Sequence, residues 1–235
     1  MTRVAILAGG KGVRMGPMGR ERPKPLTMIG DKPILEHICL GFHRHGFSEI
    51  VVAVGARGDE IRACFEDRRL PFAVEFVDTG GETRTAGRLK RLRPHLGEGS
   101  FFSSVADGLH DIDLAAMHRF HASHGEIATA AAVHPPSRFG VFDFDGERII
   151  RMREKPVLRD QWVNGGVFVL EQGVFDYIAG DDTQWEDDTL PALARDKHVM
   201  AFRHDGFWQC MDTPAEAEML ETMWRNKQAS WLPGG

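Results

Sequence analysis

Val4-Ala5-Ile6-Leu7-Ala8 runs without a break into Gly9-Gly10-Lys11-Gly12-Val13-Arg14, and this junction decides the fold. Five apolar residues in succession suit a strand covered on both faces, the mark of a parallel sheet. The glycines that follow let backbone N–H groups approach an anion, and Arg14 adds a planar fork able to engage two phosphate oxygens. The run lacks the G-x-x-x-x-G-K-[ST] spacing of a Walker A loop, and Gly10-Lys11-Gly12 lacks the third glycine of a dinucleotide-binding turn. Taken alone, the segment fits either a phosphate loop or a ligand-free βα turn.

Ile50 to Val54 repeats the apolar run and stops at Gly55. Between the two runs, Ile34, Leu35, Ile38, Cys39 and Phe42 recur at helical spacing, with Pro33 at the start and Gly46 at the end, which completes a βαβ unit. A helix over 59–65, strands over 73–77 and 101–106 and a helix over 114–123 continue the alternation, so a doubly wound α/β order is expected. Shorter strands follow over 127–133, 140–144, 149–152 and 167–170, separated by Pro, Gly and Asp turns, and the sheet should become mixed there. Helices are expected over 190–194 and 214–224, and 230–235 reads as a loose end.

The composition narrows the function classes. In 235 residues, 42% are hydrophobic and 27% charged, and the net charge of -5 comes from interleaved signs, so no basic stripe for a nucleic-acid polymer is present. We expect one domain over 1–235. No apolar stretch approaches a membrane span or a signal segment, and a cytoplasmic protein is expected. Cys39, Cys64 and Cys210 form no C-x-x-C pair and read as small apolar side chains. His118, His121 and His124 fall at metal-cluster spacing but read as an exposed polar helix face, and the Trp and Met residues near the end read as packing for a terminal helix.

Arg22-Pro23-Lys24-Pro25-Leu26 follows at a distance that could bring Lys24 over the same phosphates, its prolines stiffening the backbone. Leu7 to Met15 followed by Arg22 to Leu26 resembles the signature of the sugar-1-phosphate nucleotidyltransferases, and within them the glucose-1-phosphate cytidylyltransferase branch. The likeness extends through Val77 to Gly80, Thr85 to Arg91, Arg138 to Gly140, Glu154 to Pro156, Asn164 to Gly166, Trp185-Glu186 and Phe207 to Thr213. It implies a Rossmann-like three-layer sandwich with a mixed, mostly parallel sheet, of the nucleotide-diphospho-sugar transferase type. It also implies attack of a sugar 1-phosphate on the α-phosphorus of an NTP, with CTP and glucose 1-phosphate the expected substrates.

Residue by residue, the resemblance puts Leu7, Ala8, Gly9, Gly10, Gly12, Arg14, Lys24, Thr85, Gly87, Arg88 and Asp107 around the nucleotide, with Gly87 and Arg88 near the base. Gly140, Glu154, Lys155, Asn164, Gly165 and Trp185 would meet the sugar phosphate, and Arg14, Lys24 and Lys155 would be catalytic. Asp107, at the end of a buried strand, and Asp212 would hold Mg²⁺, a hard cation suited by two carboxylates. A homo-oligomer is expected. Three departures stand out: Val13 replaces a common Thr, Ser103 to Gly108 replaces Tyr-Gly-Asp-Gly, and the chain from Phe65 to Val77 is short. The alternatives are another phosphorylated acceptor such as a heptose 1-phosphate, another NTP, a catalytically silent nucleotide-binding relative, or a glycosyltransferase on a similar sheet.

Overall fold

The alternating side chains of the first strand divide the molecule: Val4 and Ile6 join one buried cluster and Ala5 another. A computed structural model describes residues 2–10, 12 and 15–232. Strand β1 (Val4–Leu7) is followed by helix α1 (Pro17–Glu21), the small pair β2 (Met28–Ile29) and β3 (Lys32–Pro33), and helix α2 (Ile34–Arg44). Next come β4 (Glu49–Val54), α3 (Gly58–Glu66), β5 (Ala73–Asp78), α4 (Thr85–Arg91), β6 (Phe101–Val105), β7 (Gly108–His110), α5 (Leu114–His124) and β8 (Ala128–Val133). A ribbon of β9 (Val141–Asp145) and β10 (Arg148–Arg153) precedes β11 (Val163–Leu170), α6 (Leu190–Arg195), β12 (Val199–His204), β13 (Trp208–Cys210) and α7 (Pro214–Arg225).

The main sheet has the order β12-β8-β11-β6-β1-β4-β5. β1 pairs in parallel with β4 and β6, β4 with β5 and β12 with β8, while β11 runs antiparallel to both β6 and β8. One strand thus makes a parallel sheet mixed, as the change of rhythm after residue 126 suggested. α2 and α7 contribute to one core through Leu35, Phe42 and Leu220; α4 and α6 contribute to the other through Leu89 and Leu193. Each such fully buried side chain contributes about 1.5–3 kcal/mol relative to exposure.

Local signals fix the ends of the helices. Asp113 accepts a hydrogen bond from the Ala116 N–H at the start of α5, and Gly125, at φ 71°, ends it. α7 opens with a capping box in which Thr213 and Glu216 each accept a backbone N–H of the other.

Two expectations need correction. Of the stretch 230–235, residues 233–235 lie outside the described residues and 230–232 are not loose: Trp231 is 2% exposed, tilted over Phe207 at 5.3 Å and edge-on to His37 at 6.4 Å, and Arg44 donates to its carbonyl. Its large indole lies between Phe207 and His37 of α2. The histidine face is not exposed either, because His121 is buried against β8 and hydrogen-bonds with Thr129 at 2.9 Å and Glu171 at 3.1 Å. His124 meets the same Thr129 hydroxyl at 2.7 Å, so the spacing serves a helix-to-sheet hydrogen-bond network. The three cysteines are free, and Cys39 is buried as expected.

Candidate active site

β1 and β6 lie side by side at the point where the strand order turns, and their carboxyl ends open a cleft of about 870 Å³. This is where open α/β sheets bind ligands, because the connections leave in opposite directions and part there. Its walls include Leu7 to Gly10 and Gly12 from the first loop, Ser103 to Asp107 from the end of β6, Gly81 to Thr85 before and at the start of α4, and Gln184 to Glu186 opposite.

At one end of the cleft three distant parts of the chain converge. Lys24 Nζ donates to Asp107 Oδ2 at 2.5 Å and to Asp212 Oδ1 at 2.7 Å. Burial works against the ammonium, but the two carboxylates outweigh it and raise the Lys24 pKa above its ordinary value. Asp107 is delivered by the end of β6 and Asp212 by the residue before the α7 cap, where Glu216 Oε2 accepts the Asp212 N–H at 2.6 Å. The thiol of Cys210 joins them, and one donor atom from each of the three residues lies within 4.8 Å of the others. Among the described residues this is the one group of acidic, His or Cys side chains so arranged.

The donor set can be tested against Mg²⁺. Two carboxylates are the hard oxygen ligands such an ion takes, and Lys24 already demonstrates that they hold a cation. Burial, reinforced by Asp107 and Asp212, pushes the Cys210 thiol up and keeps it protonated, so it adds no charged soft donor. The set fits Mg²⁺ through Asp107 and Asp212.

Arg88 forms the floor of the loop. Its guanidinium donates to Thr79 Oγ1 at 2.8 Å, to the Gly80 carbonyl at 2.7 Å, and to the Val54 and Gly81 carbonyls at 3.3 Å each. It also lies directly beneath Gly9, where a Cβ would stand 2.2 Å from Nη1. Glycine at position 9 is therefore required by contact with this buried cation. Desolvation lowers the Arg88 pKa, while Asp78 and Glu82 act in the opposite direction and carbonyl oxygens accept its N–H groups.

Thr85 opens the opposite wall: its hydroxyl accepts the Trp185 N–H at 2.8 Å. Trp185 is buried edge-on to Phe168 at 5.0 Å, its Nε1 without an acceptor among the described residues, on a single π turn of residues Trp185–Thr189 that runs into α6. Such turns recur at functional sites.

The structure thus gathers most of the residues singled out in the sequence. Leu7, Ala8, Gly9, Gly10, Gly12, Lys24, Thr85, Arg88, Asp107 and Trp185 line the cleft, and Asp212 joins through Lys24. Arg14 lies outside the described residues. Gly87 does not face the cleft: it packs on Asp181, whose backbone oxygen would be 2.5 Å from an added Cβ. Gly140, Glu154, Lys155, Asn164 and Gly165 do not line it either. Asn164 Oδ1 accepts the Gly166 N–H at 2.8 Å, the Gly165 carbonyl accepts from Trp208 Nε1 at 2.9 Å, and Glu154 and Lys155 are exposed at the foot of the β9–β10 ribbon.

The family model described as nucleotidyl transferase matches residues 3–220. The chain belongs to the nucleotidyl transferase family. It is 36% identical to glucose-1-phosphate cytidylyltransferase of Salmonella typhi, with 97% of this chain and 98% of that protein covered. It is 30% identical to mannose-1-phosphate guanylyltransferase catalytic subunit beta of Xenopus tropicalis, over 99% of this chain and 68% of that protein. The inositol-1-phosphate CTP transferase of T. maritima superposes with a TM-score of 0.72 over 97% of each chain at 18% identity, a likeness of fold.

Within this nucleotidyl transferase the sequence reading missed the wall formed by Gly81 to Arg84 with Asp182 and Gln184, and the place of Cys210. The wall residues are polar members of connections, without periodicity to mark them. Ser103 and Ser104 did carry a signal, being two hydroxyls on a strand buried on both sides.

Proposed function

We propose that this nucleotidyl transferase joins CMP from CTP to glucose 1-phosphate, forming CDP-glucose and pyrophosphate. The supporting observation is the meeting of Lys24, Asp107 and Asp212 at the end of a cleft walled by the Gly9-Gly10 loop. The 36% identity to a glucose-1-phosphate cytidylyltransferase along nearly the whole chain supplies the substrate pair.

In this reading the loop N–H groups and Arg14 bind the triphosphate, while Lys24 brings an ammonium to its phosphates. Asp107 and Asp212 would hold Mg²⁺, which supplies charge neutralisation on the triphosphate and leaving pyrophosphate. A phosphate oxygen of the sugar 1-phosphate forms the new bond to the α-phosphorus, and the bond from that phosphorus to the pyrophosphate oxygen breaks. The attacking oxygen is already anionic, so the reaction needs alignment and charge compensation and no general base. Thr85 lines the nucleotide site, and Arg88 serves the base by holding the Gly80 and Gly81 carbonyls. Gly140, Glu154, Lys155, Asn164, Gly165 and Trp185 serve the acceptor.

We further place the protein in the cytoplasm, as one catalytic domain over 1–235 working as an assembly of identical chains. Among the described residues no helix is long and apolar enough to cross a membrane. A second reading keeps the chemistry and changes the substrates, since a 30% identical relative bears a guanylyl and mannose name. Pyrophosphate release measured with each of four NTPs and Mg²⁺, against glucose, mannose and heptose 1-phosphates, separates the two. Turnover with CTP and glucose 1-phosphate, lost in Asp107→Asn, supports the first reading; preference for another pair supports the second.

A further inference from the structure

Helix α7 holds the backbone behind both partners of the Lys24–Asp212 contact. At its start Glu216 Oε2 accepts the Asp212 N–H at 2.6 Å. Five positions on, Glu221 Oε2 accepts the Gly30 N–H, also at 2.6 Å, while Glu221 Oε1 accepts from Arg225 Nε at 2.8 Å. Two carboxylates of one helix, about 7.5 Å apart along its axis, thus grip chain from either side of the site.

Gly30 is at the tip of the β2–β3 hairpin, in which Met28 pairs with Pro33 and Ile29 with Lys32. So small a ribbon has little order of its own in water. Its turn is shaped to meet α7: Gly30 has a left-handed backbone, φ 63°, and a Cβ there would fall inside the Trp224 indole. The hairpin continues the segment that bears the cation. The Thr27 N–H donates to the Lys24 carbonyl at 3.0 Å, and the Thr27 carbonyl accepts the Ile34 N–H at 2.9 Å. Lys24 therefore stands on a 3₁₀ turn, Lys24–Leu26, between the start of α2 and a hairpin whose tip α7 holds.

We propose that Glu221 is a positioning residue of the transferase, setting through Gly30 and the β2–β3 hairpin where the Lys24 ammonium stands relative to Asp212. The role rests on the reading of Lys24 and Asp212 put forward above. Glu221 does not line the cleft, and its partner Arg225 is 71% exposed, where an ion pair stabilises little. What matters is the reach of an acceptor oxygen to Gly30. The triphosphate must draw Lys24 from the two carboxylates to a phosphate, and a long flexible side chain makes that move accurately only from a fixed backbone.

The test compares Glu221→Gln, Glu221→Ala and Glu221→Asp in the full-length enzyme, with Lys24→Met beside them. Glu221→Gln keeps an oxygen at the same reach, Glu221→Ala removes it, and Glu221→Asp keeps the charge one carbon short of Gly30. With the NTP and sugar 1-phosphate the wild type turns over, Glu221→Ala and Glu221→Asp are expected to lower kcat about tenfold or more with both KM values within about twofold. Glu221→Gln is expected to stay within about threefold of the wild type. Lys24 is also read without turnover, by its rate of modification with acetic anhydride followed by mass spectrometry. That rate should rise several-fold in Glu221→Ala and Glu221→Asp and stay unchanged in Glu221→Gln.

Folded Glu221→Ala and Glu221→Asp proteins with wild-type kcat overturn the proposal. So does Glu221→Gln as impaired as Glu221→Ala, or lost turnover with the modification of Lys24 unchanged. Should Glu221→Ala fail to fold, Glu221→Asp against Glu221→Gln decides in the same way. Wild-type turnover in Lys24→Met would instead fault the catalytic reading of Lys24, and faster modification in Glu221→Ala would still show the hold of Glu221 on that side chain.

Discussion

Lys24 Nζ and Asp212 Oδ1 lie 2.7 Å apart although 188 positions separate them in the chain. That contact fastens the segment after the first loop to the residue before the last helix cap, and Asp107 completes the bridge at 2.5 Å. The cation and both carboxylates are largely shielded from water, with side-chain exposures of 10% for Lys24, 23% for Asp107 and 13% for Asp212.

Replacing Lys24 by Met should therefore leave two facing carboxylates without their shared cation. Such a loss costs about 2 kcal/mol, equivalent to roughly 5 °C in melting temperature for a chain of this size. Millimolar Mg²⁺ should restore more of the melting temperature in the variant than in the wild type, while turnover stays down by about a hundredfold or more. Melting curves with and without Mg²⁺ decide it; equal Mg²⁺ responses would contradict the assignment of both carboxylates to the metal.

Gly9→Ala tests the floor of the cleft. Its methyl group would intrude on Arg88 Nη1, and the guanidinium cannot yield without breaking bonds to Thr79 and Gly80. A destabilisation of about 1–3 kcal/mol is expected, together with a raised KM for the nucleotide. Arg88→Lys, which keeps the charge and loses the planar fork, should show the same pair of effects without any added bulk. Normal nucleotide KM in both variants would show that the floor does not shape the site.

Glu154→Gln and Lys155→Ala should behave in the opposite way. Both residues are exposed, so stability should change by no more than about 0.5 kcal/mol. The KM for the sugar 1-phosphate is expected to rise about tenfold or more, with CTP binding unaltered. Steady-state kinetics with each substrate varied in turn reads this directly.

Acid should weaken the fold through His110. Desolvation pushes its pKa down to about 3 from an ordinary 6.5, with His204, His45 and Arg44 adding repulsion, while Nδ1 accepts the Ile112 N–H at 3.3 Å. A depressed histidine contributes stability as the neutral ring above 6.5, and that contribution is lost as pH falls toward about 3. His37, His45, His118 and His121 are shifted in the same direction, again chiefly by burial. Urea midpoints between these limits should fall with pH, and His110→Asn should flatten the slope by up to one proton. An unchanged slope would exclude His110 as a contributor.

Much of the architecture was legible because continuous apolar runs such as Val4 to Leu7 and Ile50 to Val54 have few homes besides a buried parallel strand. β12 escaped notice because it is an edge strand, paired only with β8, and Val199 to His204 is half exposed with no clean alternation. α4 was hidden by its composition, since Arg88, Lys90 and Arg91 look like a solvated stretch until Arg88 is seen turned inward. At the site, Asp107 could be read from its place at a strand end, but Asp212 needed the family likeness because an aspartate before a helix is ordinarily a cap. No local pattern marks Cys210; only the pairing of β13 with β7 brings it to Asp107. The ribbon's strands were anticipated, but its place outside the main sheet is a matter of tertiary pairing.

The capping box that seats Asp212 ties catalytic competence to the order of synthesis. A growing chain can assemble β1, Lys24 and Asp107 long before residue 212 emerges from the ribosome. The second carboxylate is held only once Thr213 and Glu216 have nucleated the last helix, and Trp231 packs on His37 of α2 later still. Chains cut before residue 212 would thus contain the glycine-rich loop yet lack half the proposed metal site, so the first and second carboxylates enter the fold at widely separate stages of synthesis.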